Sequence, residues 1–248
     1  MIRAVYPNAS DFYYLISGMV RISDELTLNF AEDGIFARYL TDDKVLMGVL
    51  SIPKTVMTEY TIDKPSAFKV KISDLKKVLG KAKSKRAVVS MTEIEGGLKI
   101  VVSDTKSGTK SNLFVKAETT LPETLQEPKV SPTVKMRIDG SVLKRIIKEA
   151  SAVSTEATFS AEESKVTVKA EAEGKSYEAE LMQDKPLKEL QVNEPGEAAY
   201  SLEVMEDAVN GASFSDNVDV YFGSNIPMKI EALGEEGAKL VFWIAPRL

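Results

Sequence analysis

The feature that most constrains the fold is a set of helices repeated at a fixed distance. Apolar residues at i, i+3, i+4 and i+7 mark one helical face at Phe12, Leu15, Ile16 and Met19 and a second at Leu75, Val78, Leu79 and Ala82. The spacing returns at Leu143, Ile146, Ile147 and Ala150 and at Met205, Ala208, Val209 and Ala212. Phe12 and Leu143 lie 131 residues apart, and Leu75 and Met205 lie 130 apart. Two independent helices displaced by nearly the same amount imply an internal duplication. Between the copies, residues 116–132 (KAETTLPETLQEPKVSP) carry three prolines and an acidic, Thr-rich composition without helical or alternating periodicity, so they read as an extended connector. Leu121 and Leu125 are apolar residues on this strap and are expected to pin it to the body.

Short alternating or apolar runs surround the helices in each copy. Before the connector they fall at 2–6, 26–30, 35–40, 45–52, 58–62, 67–72, 86–91, 98–102 and 109–115. After it they fall at 134–138, 155–160, 165–171, 176–182, 187–192, 198–202, 218–222, 228–232 and 239–244. Asp33-Gly34, Glu95-Gly96-Gly97 and Glu173-Gly174 are turn signals between strands. Pro7-Asn8, Ser73-Asp74 and Asp139-Gly140-Ser141 read as helix starts. Many strands with two helices of one apolar face each have a physical solution: an α+β domain whose antiparallel sheets lie outside and whose inner face is covered by both helices. A chain of 248 residues suits two similar domains of this kind, 1–116 and 133–248, joined by the connector 117–132.

Cysteine and histidine are both absent, which removes disulfides, thiolate nucleophiles, imidazole bases and the usual zinc or haem ligands together. Paired acids at Asp42-Asp43, Glu162-Glu163 and Glu235-Glu236 fall in turns and read as solvated carboxylates. Gly174-Lys175-Ser176 ends like a phosphate loop, but the glycine required five positions earlier is Lys169. An enzyme is therefore not expected, nor is a metal or a cofactor. No run of about 18 apolar residues occurs and residues 1–14 lack the regions of a signal peptide, so a cytoplasmic location without membrane contact is expected, and Asn8-Ala9-Ser10 reads as a chance glycosylation match.

The net charge of −5 speaks against coating nucleic acid through overall charge, so any such contact needs a local basic patch. Lys76, Lys77, Lys81, Lys83, Lys85 and Arg86 lie on or just beyond the second helix, and Lys144, Arg145 and Lys148 flank the apolar stripe of the third. Such lysines form either an ordinary solvated face or a phosphate-contacting surface without sequence readout. The first helix has only Arg21 at its end and the fourth carries Glu206 and Asp207.

Several motifs occur in order along the chain: Asp33-Gly34-Ile35 leading to Leu40-Thr41-Asp42, Leu75-Lys76-Lys77-Val78-Leu79, the connector Glu123-Thr124-Leu125-Gln126-Glu127-Pro128, Val134-Lys135-Met136, Asn225-Ile226-Pro227-Met228 and Ile244-Ala245-Pro246-Arg247. With them the sequence resembles the archaeal proliferating cell nuclear antigen sliding clamps over its whole length. The resemblance implies the DNA clamp fold, a ring of three subunits around duplex DNA, contacted without sequence specificity by basic residues at Lys77, Lys81, Arg145 and Lys148. It implies a partner-docking pocket at Leu40, Lys44, Val45, Met47, Leu125, Ile226, Pro227, Ala245 and Pro246, for DNA polymerase, flap endonuclease and DNA ligase. It also implies a joint between subunits. Thr109, Lys110, Ser111, Asn112, Leu113, Phe114 and Val115 of one subunit would pair with Lys175, Ser176, Tyr177, Glu178, Ala179, Glu180 and Leu181 of the next. The ring would be a homotrimer or a heterotrimer, opened by an ATP-driven clamp loader, and would serve DNA replication and repair as a processivity factor. The sparse basic charge on the first and fourth helices suits a heterotrimer whose other subunits supply the missing lysines.

Two rival readings belong to other classes. One is a stand-alone β-rich protein-interaction scaffold that never encircles DNA, which predicts a stable monomer. The other is a carboxylate-metal hydrolase, which requires metal-dependent turnover.

Overall fold

The structure, a computed structural model, describes residues 1–80 and 84–248. The chain divides into two compact units: Met1–Tyr39, Gly48–Leu125 and Gly234–Leu240 form the first, and Leu40–Met47, Gln126–Leu233 and Val241–Leu248 form the second. Elements of the first repeat are β1 (Ile2–Tyr6), α1 (Ala9–Met19), β2 (Glu25–Ala31), β3 (Gly34–Leu40), β4 (Leu46–Pro53), β5 (Glu59–Ile62), β6 (Ser66–Lys71), α2 (Ile72–Leu79), β7 (Ala87–Ile94), β8 (Gly97–Asp104) and β9 (Thr109–Lys116). A short strand, β10 (Glu118–Thr120), opens the connector. The second repeat holds β11 (Val134–Asp139), α3 (Gly140–Ser151), β12 (Glu156–Glu162), β13 (Lys165–Ala172), β14 (Lys175–Gln183), β15 (Pro186–Leu187), β16 (Glu189–Val192), β17 (Gly196–Ser201), α4 (Leu202–Ala212), β18 (Asn217–Phe222), β19 (Met228–Leu233) and β20 (Lys239–Ile244).

Strand order carries the duplication into three dimensions. The first repeat orders its strands β5-β1-β7-β8-β9 and β6-β2-β3-β4, and the second orders the equivalent strands β16-β11-β18-β19-β20 and β17-β12-β13-β14. Neighbours run antiparallel along β5-β1-β7-β8-β9 and from β17 to β14, whereas β14 and β15 share a two-residue parallel match. In each unit the two helices pack side by side and cover the sheets, α1 and α2 over β7 and β9, α3 and α4 over β11 to β14, β17 and β19. Their stripes are buried as the spacing requires, except that Val78 is only half-buried, Ile72 joins the α2 face, and Ala82 lies outside the described residues. Edge-on aromatic contacts add to each core, Phe30 with Phe68 in the first unit and Phe159 with Tyr200 and Phe222 in the second.

Helix starts follow the capping rules with one exception. Asn8 Oδ1 accepts from Asp11 N at 3.0 Å, and this buried cap leaves Asn8 unavailable as a glycosylation acceptor. Asp139 Oδ1 accepts from Ser141 N at 2.8 Å and Val142 N at 3.4 Å, and these hydrogen bonds, led by the Ser141 hydroxyl, hold its carboxyl below the usual carboxylate range. Asp139→Ala should lower unfolding stability by about 1 kcal/mol at neutral pH. Because the folded-state value is depressed, this contribution is present above the ordinary Asp value of about 3.9 and lost as pH falls through the lowered one. Denaturant titrations of parent and variant should therefore converge in strong acid. The exception is α2, where Ser73 does not cap but is itself held: Asp24 Oδ1 accepts from Ser73 N and Oδ2 from Ser73 Oγ, each at 2.8 Å, so the cap comes from a residue 49 positions away.

Three other expectations change. The first hairpin turns at Glu32-Asp33, since Ala31 already pairs with Gly34. Gly34 has φ +147 and a Cβ there would sit 2.2 Å from Ile52 O, so glycine is required for close approach rather than for the turn itself. The run 187–192 serves two sheets, with Leu187 beside β14 and residues from Glu189 beside β11. The connector begins as a strand, β10, antiparallel to β6, and Leu121 beyond it is 85 % exposed and pins nothing.

Candidate functional site

Basic side chains project from α2 and α3. Lys77 is exposed and its Nζ lies 3.0 Å from Asp74 Oδ1. Arg145 and Lys148 are exposed on α3, and Arg145 Nε stands 4.0 Å from Glu149 Oε1. Lys81 lies outside the described residues. On α1 the outward position is taken by Tyr14, and α4 turns Glu203 outward with Glu206 and Asp207 half-exposed. Among the described helical residues, positive charge is therefore confined to one helix of each unit.

Among the strand edges left open in the described residues are the two that the family resemblance singles out. β9 ends the order β5-β1-β7-β8-β9, and β14 meets β15 only at Met182 and Gln183, leaving 175–181 uncovered. Register fixes which groups face outward. Ala117 N donates to Gly96 O, so the odd residues of β9 bond inward to β8, and the N–H groups of Lys110, Asn112, Phe114 and Lys116 point away from the sheet. In β14 the tight hairpin closed by Ala172 and Lys175 turns the odd residues toward β13 and leaves those of Ser176, Glu178 and Glu180 outward. Beside the β9 edge runs a groove of about 690 Å³, walled by Lys71, Asp74, Lys77, Leu113, Phe114 and Val115. Phe114 is 53 % exposed, a large apolar ring at an unpaired edge.

Of the nine pocket residues, eight fall in the second unit and Leu125 ends the first. Leu40, Val45, Ile226, Pro227, Ala245 and Pro246 are half-exposed, Lys44 is exposed, and Met47 is buried and offers no surface. Ala245 N donates to Val45 O at 2.9 Å, which ties the C-terminal tail to the 41–45 loop. Lys44 and Asn225 hold positive φ in the two loops that carry Val45 and Ile226. In the first unit the connector is fixed by side chains to which the sequence does not point: Asn29 Oδ1 accepts from Glu123 N at 2.7 Å and Arg38 Nη1 donates to Leu125 O at 2.9 Å. Neither residue carries a sequence signal for this role, because each lies within a strand and only the tertiary fold brings the strap to it.

Asp43 accepts from Thr41 Oγ1 at 2.6 Å and from Val45 N at 3.2 Å, bonds that hold its carboxyl low and shape the loop. Among the described residues no three metal-ligating side chains cluster, and no helix is long and apolar enough to cross a membrane.

Duplicated α+β units, each with two helices packed over antiparallel sheets, define the class by its fold, and comparison with known proteins narrows it. Residues 1–118 match the family model described as proliferating cell nuclear antigen, N-terminal domain. Over 248 residues, 100 % of both chains, the sequence is 53 % identical to "DNA polymerase sliding clamp 2" of Sulfurisphaera tokodaii. The fold superposes on a crystal structure of PCNA from Thermococcus kodakaraensis with a TM-score of 0.90 at 24 % identity, covering 100 % of both chains. A PCNA2-PCNA3 complex from Sulfolobus tokodaii contains a chain matched at TM-score 0.83 and 25 % identity, covering 99 % of each. The chain belongs to the proliferating cell nuclear antigen family of sliding clamps.

Proposed function

We propose that the chain is one subunit of a DNA polymerase sliding clamp, a three-subunit ring that encircles duplex DNA and tethers replication and repair enzymes to it. The observation that carries this reading is the full-length match at 53 % identity to a relative named as a sliding clamp. The two open edges support it physically, since an unpaired strand invites pairing and closure into a ring removes the exposed donors. β9 of one subunit would pair with residues 175–181 of the next, and the named complex of two different family chains supports neighbours that are not copies of this one.

The reading assigns the chain no reaction of its own. Its mechanism is topological linkage to DNA, which keeps a bound polymerase, flap endonuclease or ligase at high local concentration near its substrate. Domains 1–116 and 133–248, joined by 117–132, would each contribute a pair of helices to the hole. Lys77, Lys81, Arg145 and Lys148 would touch phosphates transiently, because lysine and arginine on a smooth helical face bind charge and read no base edge. An ATP-driven loader would open the ring.

Retention on DNA tests the reading. The assembled ring, loaded on nicked circular duplex, should be kept at salt concentrations that release it from linear duplex of the same length. Alanine at Lys77, Arg145 and Lys148 should lower affinity for duplex and flatten its salt dependence, by about one unit of log–log slope for each phosphate no longer neutralised. Equal retention on circular and linear DNA would contradict encirclement, and a chain that stays monomeric with every candidate co-subunit would favour the scaffold reading.

A further inference from the structure

We infer that Tyr177 is a positioning residue for Arg145, acting through Glu149; the inference rests on the clamp reading, in which Arg145 faces DNA. Tyr177 belongs to β14, which packs against α3, and its hydroxyl donates to Glu149 Oε2 at 2.9 Å. The other carboxylate oxygen, Oε1, stands 4.0 Å from Arg145 Nε, and the arginine side chain remains 69 % exposed. Arginine and a carboxylate one helical turn away are neighbours, and such pairs frequently fork both oxygens onto the guanidinium. Here one oxygen is held by the tyrosine, so the pair is long and single, and the guanidinium is left for an outside anion.

The same hydroxyl lies in the open stretch 175–181, the proposed joint. A neighbouring strand paired there would exclude water from the Tyr177–Glu149 hydrogen bond and strengthen it. Ring closure would then hold the carboxylate away from Arg145 more firmly than in the lone subunit. Burial, and then the Glu149 hydrogen bond, push the hydroxyl up to about 12, so it remains a donor at physiological pH.

The order of effects in a double-mutant cycle tests this. Tyr177→Phe keeps the ring and its packing but releases Glu149 to fork onto Arg145, and should weaken binding of a short fluorescent duplex by about twofold to threefold. Glu149→Gln should strengthen it by a similar factor. The double variant should match Glu149→Gln alone, because the tyrosine has no charged carboxylate left to restrain. Measurements use the assembled ring with its co-assembling subunits, at matched mass. Unchanged affinity for Tyr177→Phe overturns the inference, as does an equal loss in the Glu149→Gln background, which would assign the tyrosine to packing. If circular DNA is still retained over linear in either case, the clamp reading survives. A parent ring without that preference overturns both.

Discussion

Phe114→Pro or Glu178→Pro yields a folded chain that no longer joins a ring. Each substitution removes an N–H that points out of an open edge, while the ladder to the neighbouring strand of the same sheet stays complete, since that ladder uses the odd residues of β9 and β14. Proline on an edge strand is tolerated when its missing donor faces outward, so both sheets should persist. At a joint between subunits the same change deletes a hydrogen bond and sets a pyrrolidine ring against the incoming strand. The lost hydrogen bond alone costs about 1 kcal/mol, and the steric clash adds to it, so the association constant should fall by about tenfold or more. Phe114→Pro also removes the exposed ring beside the groove. Light scattering should give the mass of a single subunit, or of an incomplete assembly when co-subunits are present, with an unaltered circular dichroism spectrum. Full ring mass for both variants would mean that the subunits meet elsewhere.

Loss of partner docking is the second large effect. Leu125 is half-buried on a strap held by Asn29 and Arg38, and its carbonyl is committed to Arg38 Nη1 while its side chain is apolar and free of any such tie. Leu40, Val45, Ile226, Pro227, Ala245 and Pro246 supply further half-exposed apolar surface. In the docking site that the family resemblance implies for these residues, a short partner peptide burying two or three aliphatic or aromatic anchors would gain several kcal/mol before ordering costs, on the order of moderate and reversible binding. Leu125→Ser combined with Pro246→Ser should weaken peptides from a polymerase, flap endonuclease or ligase by about tenfold or more, roughly 1.4 kcal/mol. Ring mass and retention on circular DNA should not change. Calorimetric titration reads the difference, and parental affinity in the double variant would move the docking site away from these residues.

The repeat was legible because helical periodicity is local. Phe12, Leu15, Ile16 and Met19 announce their buried face whatever packs on it, and a displacement of 131 residues between Phe12 and Leu143 survives without knowledge of the sheets. What the sequence hid is non-local. Ser73 has the composition of a cap, but the carboxylate that satisfies the start of α2 is Asp24, which adjoins it only after β2 and β6 have paired. The run 187–192 reads as one strand because it is short and bounded by prolines at 186 and 195, yet its apolar residues step by three from Leu187 to Leu190 before alternating to Val192, and Leu187 and Leu190 pair in different sheets. Periodicity alone marked 109–115 and 176–182 as strands, and only the family resemblance offered them as edges, since edge position depends on what fails to pair. Glu149 gave no signal at all: a glutamate on an exposed helix is ordinary until Tyr177 is found against it.

The two compact units trade short segments. Leu40–Met47, encoded early, belongs to the second unit, where Leu46 and Met47 are buried, and Gly234–Leu240, encoded near the end, returns to the first, where Ala238 and Leu240 are buried. A duplicated gene often leaves two beads that can be cut apart, but a cut in this connector would leave each fragment without a piece of its own interior. Produced separately, fragments 1–125 and 126–248 should be poorly folded, and mixing them should restore structure by fragment complementation. Limited proteolysis within the strap should likewise leave a nicked protein that stays folded as one particle. After a break in the strap each fragment would still hold a segment that belongs to the other unit, so the strap is not the one link between the halves.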